Sequence, residues 1–236
     1  MGPLEHLEWL AENVAWFSSL DASLLDQAVP RCPGWDLEHL INHLSFGVGV
    51  AYPAAIATSP TDELSVTPLT SALPTGSEAL EKFEENFSAC LQMMRETDPT
   101  QPCFTYAGAG TAAFWFRRAA AETTLHRMDA ADALGQSMVH LREAWSADAI
   151  REAVEFALPL AAAKVGTPEG ELVIESSCLE NPISVGHGAP AAVLTGEPHD
   201  VLDTLWGRSN TRVKITGDRA LAAQWLGLIK TAFAGR

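Results

Sequence analysis

The sequence predicts an α+β protein in which a helical bundle, residues 1–140, precedes a smaller α/β domain, residues 141–236. Two patterns predict it. Up to about residue 135, apolar residues recur at helical spacing in four segments separated by Pro-, Gly- and Ser-rich stretches. Beyond that point short runs of strand character alternate with helical ones. The size agrees, because 236 residues, 47% of them hydrophobic, can bury two separate cores.

Residues 3–19 read as the first helix: Pro3 suits a first turn, and Leu4, Leu7, Ala11, Val14 and Phe17 recur at helical spacing. The loop through Val29-Pro30-Arg31-Cys32-Pro33-Gly34-Trp35 cannot continue it. Asp36 then reads as the N-cap of a second helix over residues 37–57. Residues 58–76, rich in Ser, Thr and Pro, read as a long connection. A third helix starts near Ser77, with Leu80, Phe83, Phe87, Cys90, Leu91 and Met94 on its apolar face. Asp98 to Gly110 reads as a loop, and a fourth helix runs from Thr111 to Leu134, with Gly135 as its stop. Four helices with one long connection describe a bundle with a crossover. In the second domain Ser146 reads as the cap of a helix reaching Ala163. Glu171–Ser176, Ala191–Thr195 and Arg212–Thr216 read as strands, with helices near Pro198–Trp206 and Asp218–Phe233.

Thirty acids against fifteen bases give a net charge of −15, which disfavours nucleic acid and anionic lipid surfaces as partners. Between Glu38 and Asp62 no residue carries a fixed charge, a length that could cross a bilayer. Asn42, His43, Ser45, two glycines and Pro53 within it favour a buried core helix with a polar inward patch. The start, Met1-Gly2-Pro3-Leu4-Glu5, has neither the basic residues nor the apolar run of a signal peptide, so the expectation is a soluble cytoplasmic protein. Cys32, Cys90, Cys103 and Cys178 form no CxxC pair and read as reduced thiols.

The chemistry-bearing residues lie on the second and fourth helices. Glu122 and His126, four apart, share one helical face, and the second helix offers His39 and His43, also four apart. Imidazoles with a carboxylate suit zinc, iron or nickel, and a set of two His and one Glu leaves an open coordination position. A Glu/His pair at this spacing is also common as a surface hydrogen bond. The aromatic neighbours Phe114, Trp115 and Phe116 place this one on a buried helix, where polar groups need an ion or a hydrogen-bond network.

Cys32-Pro33-Gly34-Trp35-Asp36 followed by His43-Leu44 resembles the first signature of the mycothiol-dependent maleylpyruvate isomerase family, which belongs to the DinB-like metalloenzymes. Glu122-Thr123-Thr124-Leu125-His126-Arg127-Met128-Asp129, with Ala133-Leu134-Gly135 beyond it, resembles the second. Leu205-Trp206-Gly207-Arg208 and Ile215-Thr216-Gly217-Asp218 are similar to motifs of that family's C-terminal domain. The resemblance implies a DinB-like four-helix bundle holding a divalent metal, zinc by its donor set, on His43, Glu122 and His126. It implies mycothiol as cosubstrate or cofactor, a small electrophile as substrate, and a catalytic, thiol-binding role for Arg208. His39 falls outside the implied ligand set. Asp129 fits either an orienting role beside a ligand or an ion pair with Arg127 or Arg118, and Arg117 and Arg118 read best as surface charges. The family's isomerase carries a further arginine in the connection after the second helix, whereas residues 58–81 contain none, which sets a dicarboxylate substrate apart. Thiol transfer, isomerisation and metal-assisted hydrolysis are all open to such a site, as is metal or ligand binding without turnover.

Overall fold

The computed structural model describes residues 1–62, 72–106, 108–136, 141–189, 191–208 and 211–232. The chain divides into two compact units, Met1–His140 and Leu141–Arg236, the first a helical domain and the second an α/β domain. The middle of the expected 58–76 connection and the end of the first unit, 137–140, lie outside the described residues.

In the first unit the helices are α1 (Pro3–Ser18), α2 (Leu37–Gly47), α3 (Ala51–Ala57), α4 (Ser77–Glu96) and α5 (Ala112–Ala133). Pro3 occupies the first turn of α1, where its missing N–H costs nothing. Asp36 caps α2 by accepting from the His39 backbone N–H at 2.8 Å. Gly135, at φ 62°, ends α5, and the Gln136 N–H returns to the Ala131 carbonyl at 2.9 Å. Helix α1 packs on α5 and α4, and α2 packs on α4 and α5. Between them Trp9, Phe17, Leu40, Leu44, Phe83, Phe87, Trp115 and Phe116 are fully buried. Burial of each such side chain is worth about 1.5–3 kcal/mol. The alanines at 119–121, 130 and 131 keep α5 slim, so its neighbours approach closely.

Two features depart from the sequence expectation here. The second helix does not run unbroken from 37 to 57: it stops at Gly47 and restarts at Ala51. Pro53 has no N–H for the Gly49 carbonyl, and its ring would collide with that carbonyl in a continuous helix. The Gly49 N–H reaches back to Leu44 instead, at 3.0 Å. Leu37–Ala57 is long and apolar enough to cross a membrane, yet 56% of its most apolar window is buried inside the protein. The segment expected as a loop before α5 is an antiparallel hairpin, β1 (Pro102–Thr105) with β2 (Gly108–Thr111). It is pinned to α5 by the Trp115 indole N–H, which donates to the Phe104 carbonyl at 2.7 Å.

The second unit begins with α6 (Glu143–Glu152), a wider π turn at Ala153–Ala157, and α7 (Leu158–Val165). The expected cap at Ser146 is corrected. Ser146 is buried inside the first turn, and its N–H donates to the Arg142 carbonyl at 3.0 Å. The guanidinium of Arg142, at the true start, lies 4.3 Å from the Trp145 ring centre. The π turn falls where Pro159 removes the N–H that Glu155 would have accepted. Next come β3 (Glu171–Ser176), β4 (Ile183–Gly186), β5 (Ala191–Gly196), α8 (Pro198–Leu205), β6 (Lys214–Gly217) and α9 (Arg219–Ala232). The sheet order is β4-β3-β5-β6, with β3 and β5 parallel and the outer pairs antiparallel. Leu172, Ile174, Ala192 and Leu194 are buried, one face of the two central strands, and α8 and α9 pack on those strands. Strand β4 was not anticipated.

Candidate metal centre

Helix α5 carries one polar stripe. Arg118, Glu122, His126 and Asp129 are spaced four, four and three apart, so at about 100° per residue they lie along one side. The opposite side is fixed by α1. The Asn13 side-chain N–H donates to Thr124 Oγ1 at 2.7 Å, and the Arg127 guanidinium donates to Asn13 Oδ1 at 3.2 Å. That buried tie sets the rotation of α5 about its axis and so the direction of the stripe.

The partners of the stripe come from α2 and the loop before it. In that loop the Val29 and Cys32 N–H groups bond the Trp35 and Val29 carbonyls, both at 2.9 Å. The turn so formed delivers Trp35 beside the two imidazoles, its ring 4.9 Å from His43 and stacked at 5.9 Å and 18° on His126. His43, two turns into α2, meets His126 edge to face with ring centres 4.9 Å apart.

Three donor atoms converge. His43 Nε2 lies 3.2 Å from Glu122 Oε1, and His126 Nε2 lies 3.5 Å from the same oxygen. The nearest donor atoms of the three residues all fall within 4.8 Å of one another. A tetrahedral zinc with bonds of about 2.0–2.1 Å separates its ligand atoms by about 3.3–3.4 Å. The two measured separations straddle that value, and 3.5 Å is longer than an ordinary N–H···O hydrogen bond. The residues present therefore fit a borderline divalent ion in both donor type and spacing. Access is graded, with side-chain exposure of 34% at His43, 16% at Glu122 and 6% at His126.

Arg118 corrects the surface-charge reading of the sequence. It is 4% exposed, and its guanidinium pairs with Glu122 Oε2, leaving Oε1 to the two histidines. Asp129 pairs with Arg31, a partner the sequence did not suggest, whose Nε lies 3.2 Å from Oδ1. Its other oxygen is 3.1 Å from His126 Nδ1 and accepts from the Cys32 thiol at 3.3 Å. His39 takes no part in the convergence. Its exposed ring sits 2.7 Å from the capping carboxylate of Asp36. Arg208 lies in the second unit, in the turn after α8, where it lines a cavity of about 350 Å³ with Thr204, Ile215, Arg219 and Leu226. No sequence signal joins the Arg31–Cys32 segment to Asp129, since Cys32 and Asp129 are 97 residues apart. Arg118 had a signal, its four-residue spacing from Glu122.

The family described as the mycothiol maleylpyruvate isomerase N-terminal domain matches residues 7–131, a little over half of the chain. No curated protein matches. Among solved structures, the mycothiol-dependent maleylpyruvate isomerase is similar at 17% identity and a TM-score of 0.70, over 92% of this chain and 93% of that one. A histidine-to-alanine mutant of such an isomerase is similar at 16% identity and a TM-score of 0.69, with the same coverage. At these identities the structures share a fold, and the sequence match carries the kinship. The chain belongs to the mycothiol maleylpyruvate isomerase N-terminal domain family.

Proposed function

We propose that the chain is a soluble cytoplasmic enzyme that uses a low-molecular-weight thiol of the mycothiol type to attack a small electrophile, as an isomerase or S-transferase. In this reading His43, Glu122 and His126 hold one divalent metal, zinc. The observation that carries it is the convergence of two imidazole nitrogens and one carboxylate oxygen, in a chain of this family. The solved relative is by its name mycothiol-dependent and acts on maleylpyruvate. The thiol is carried over here. The substrate is not, because residues 58–81 contain no arginine to hold a second carboxylate.

Zinc bound there would lower the pKa of a thiol and supply a thiolate at neutral pH. The chain's own residues set the conditions. Two neutral imidazoles and one carboxylate bring a single negative charge, and Arg118 draws on that carboxylate from its other oxygen. A divalent ion would therefore keep much of its charge for the incoming sulfur. His43, the most exposed of the three, forms the accessible wall, while Trp35 covers one face of His126 and excludes water there. Attack forms a C–S bond and places negative charge on the electrophile's conjugated oxygen. Expulsion of the thiol after bond rotation completes an isomerisation. Protonation of the adduct with the sulfur retained completes a transfer.

The test is turnover of activated alkenes by the zinc-loaded protein with and without mycothiol, alongside thermal shifts. Mycothiol should raise the melting temperature through binding to the folded state, S-methylated mycothiol should not, and product should form only with the free thiol. Turnover with water alone would overturn the thiol reading in favour of hydrolysis. No shift and no turnover would leave a binding module.

A further inference from the structure

We propose that Asp129 is a positioning residue: its carboxylate, held by Arg31 and Cys32, fixes the His126 ring with Nδ1–H toward Asp129 and the Nε2 lone pair toward Glu122 and His43. The proposal rests on the metal reading above and names the group that decides how His126 binds.

Asp129 is fully buried, and an uncompensated buried carboxylate is strongly unfavourable. Each of its oxygens is engaged by the surroundings. Oδ1 faces Arg31 Nε at 3.2 Å, and Oδ2 faces Cys32 Sγ at 3.3 Å and His126 Nδ1 at 3.1 Å. Arg31 also donates from Nη1 to the Met128 carbonyl at 3.4 Å, so one guanidinium grips both the carboxylate and the backbone beside it. These contacts hold the carboxylate in place and balance its charge.

An imidazole offers a metal one nitrogen, and the hydrogen bond made by the other selects the tautomer and the ring orientation. At His126 the two nitrogens have different neighbours. Nε2 is 3.5 Å from Glu122 Oε1, within the converging donor set, whereas Nδ1 is 3.1 Å from Asp129 Oδ2, a close ion-pair contact that a small turn of the ring would align as a hydrogen bond. A proton on Nδ1 directed at Asp129 leaves Nε2 as the donor. Rotation of the ring by half a turn would put Cδ2 in the place of Nδ1 and Cε1 in the place of Nε2, and so remove the donor nitrogen from the set. The carboxylate opposes that rotation on one side, and Trp35, stacked at 18°, restricts tilting on the other. The loop that carries Arg31 and Cys32 also carries Trp35, so one segment locks both the orientation and the face of this histidine. The rival account makes the Arg31–Asp129 pair a tether between loop and helix, with consequences for stability alone.

Zinc affinity of the metal-stripped full chain, measured by competition with a chromophoric chelator, separates the two. Wild type should bind one equivalent. Asp129→Asn should bind about 10–100 times more weakly, with its helical circular dichroism retained. Arg31→Met should lose less, and the double variant should be no weaker than Asp129→Asn alone, because Arg31 acts through Asp129. In zinc-loaded wild type, nitrogen-15 spectra should show the His126 proton on Nδ1. A tether would lower the melting temperature of both variants and leave affinity unchanged. Affinity of Asp129→Asn within about twofold of wild type would overturn the proposal. Should that variant fail to fold, undiminished affinity in Arg31→Met, whose side chain is partly exposed, would overturn it equally. Wild type binding no zinc would remove the metal reading and this inference with it, a result distinct from variants that bind as wild type does.

Discussion

Glu122 divides its carboxylate between two tasks: Oε2 pairs with Arg118, and Oε1 faces the two imidazoles. Removing the guanidinium leaves a mostly buried carboxylate without its charge partner, so Arg118→Met should destabilise the fold by about 2–3 kcal/mol, read from denaturant unfolding. It should also weaken metal binding, because Glu122 loses its anchor; unchanged stability and affinity would contradict this role. The thiols allow a second prediction. Burial pushes Cys90 up to about 12 from an ordinary value near 9, and burial also raises Cys103. A thiol whose folded pKa is raised stabilises the fold fully below the unfolded value. That contribution is lost as pH rises between the two values. Stability should therefore fall above pH about 9, by about 1 kcal/mol at pH 10 for Cys90. Below that, native protein should leave Cys90 and Cys103 unalkylated by iodoacetamide until it is unfolded.

Elements legible in the sequence are those whose pattern is local. Helices α1, α4 and α5 and strands β3 and β5 follow apolar periodicity and turn residues, and they fall within a residue or two of the expected bounds. What was hidden has a physical cause in each case. The β1–β2 hairpin is built on Pro102, Gly108 and Gly110, which have no strand propensity, and it is held by Trp115 from α5. The break between α2 and α3 is masked by uniform hydropathy across it. A Cβ on Gly49 would come within 2.5 Å of the Ser45 carbonyl oxygen and 3.2 Å of Asn86 Cβ, so this is a packing requirement and not a composition signal. Gly49→Ala should accordingly cost about 1–3 kcal/mol despite alanine's higher helix propensity; a stabilised variant would show that the break is incidental. At the candidate site the same division holds. The shared face of Glu122 and His126 follows from helical spacing. The approach of His43, and the grip of Arg31 on Asp129, depend on tertiary packing that no local pattern encodes.

For the molecule as a whole, a strongly acidic chain gathers a small group of arginines, histidines and carboxylates between α2, α5 and the loop before α2 in its helical unit, while Arg208 belongs to the α/β unit. The account depends on the helical unit presenting three donors to one ion. Metal content of the purified chain, by elemental analysis and zinc titration, tests that most directly. Wild type and His39→Ala should each hold one equivalent of zinc, and His43→Ala and His126→Ala should hold none while keeping most of their helical signal. One equivalent bound by His126→Ala at wild-type affinity, or none bound by wild type, would contradict it.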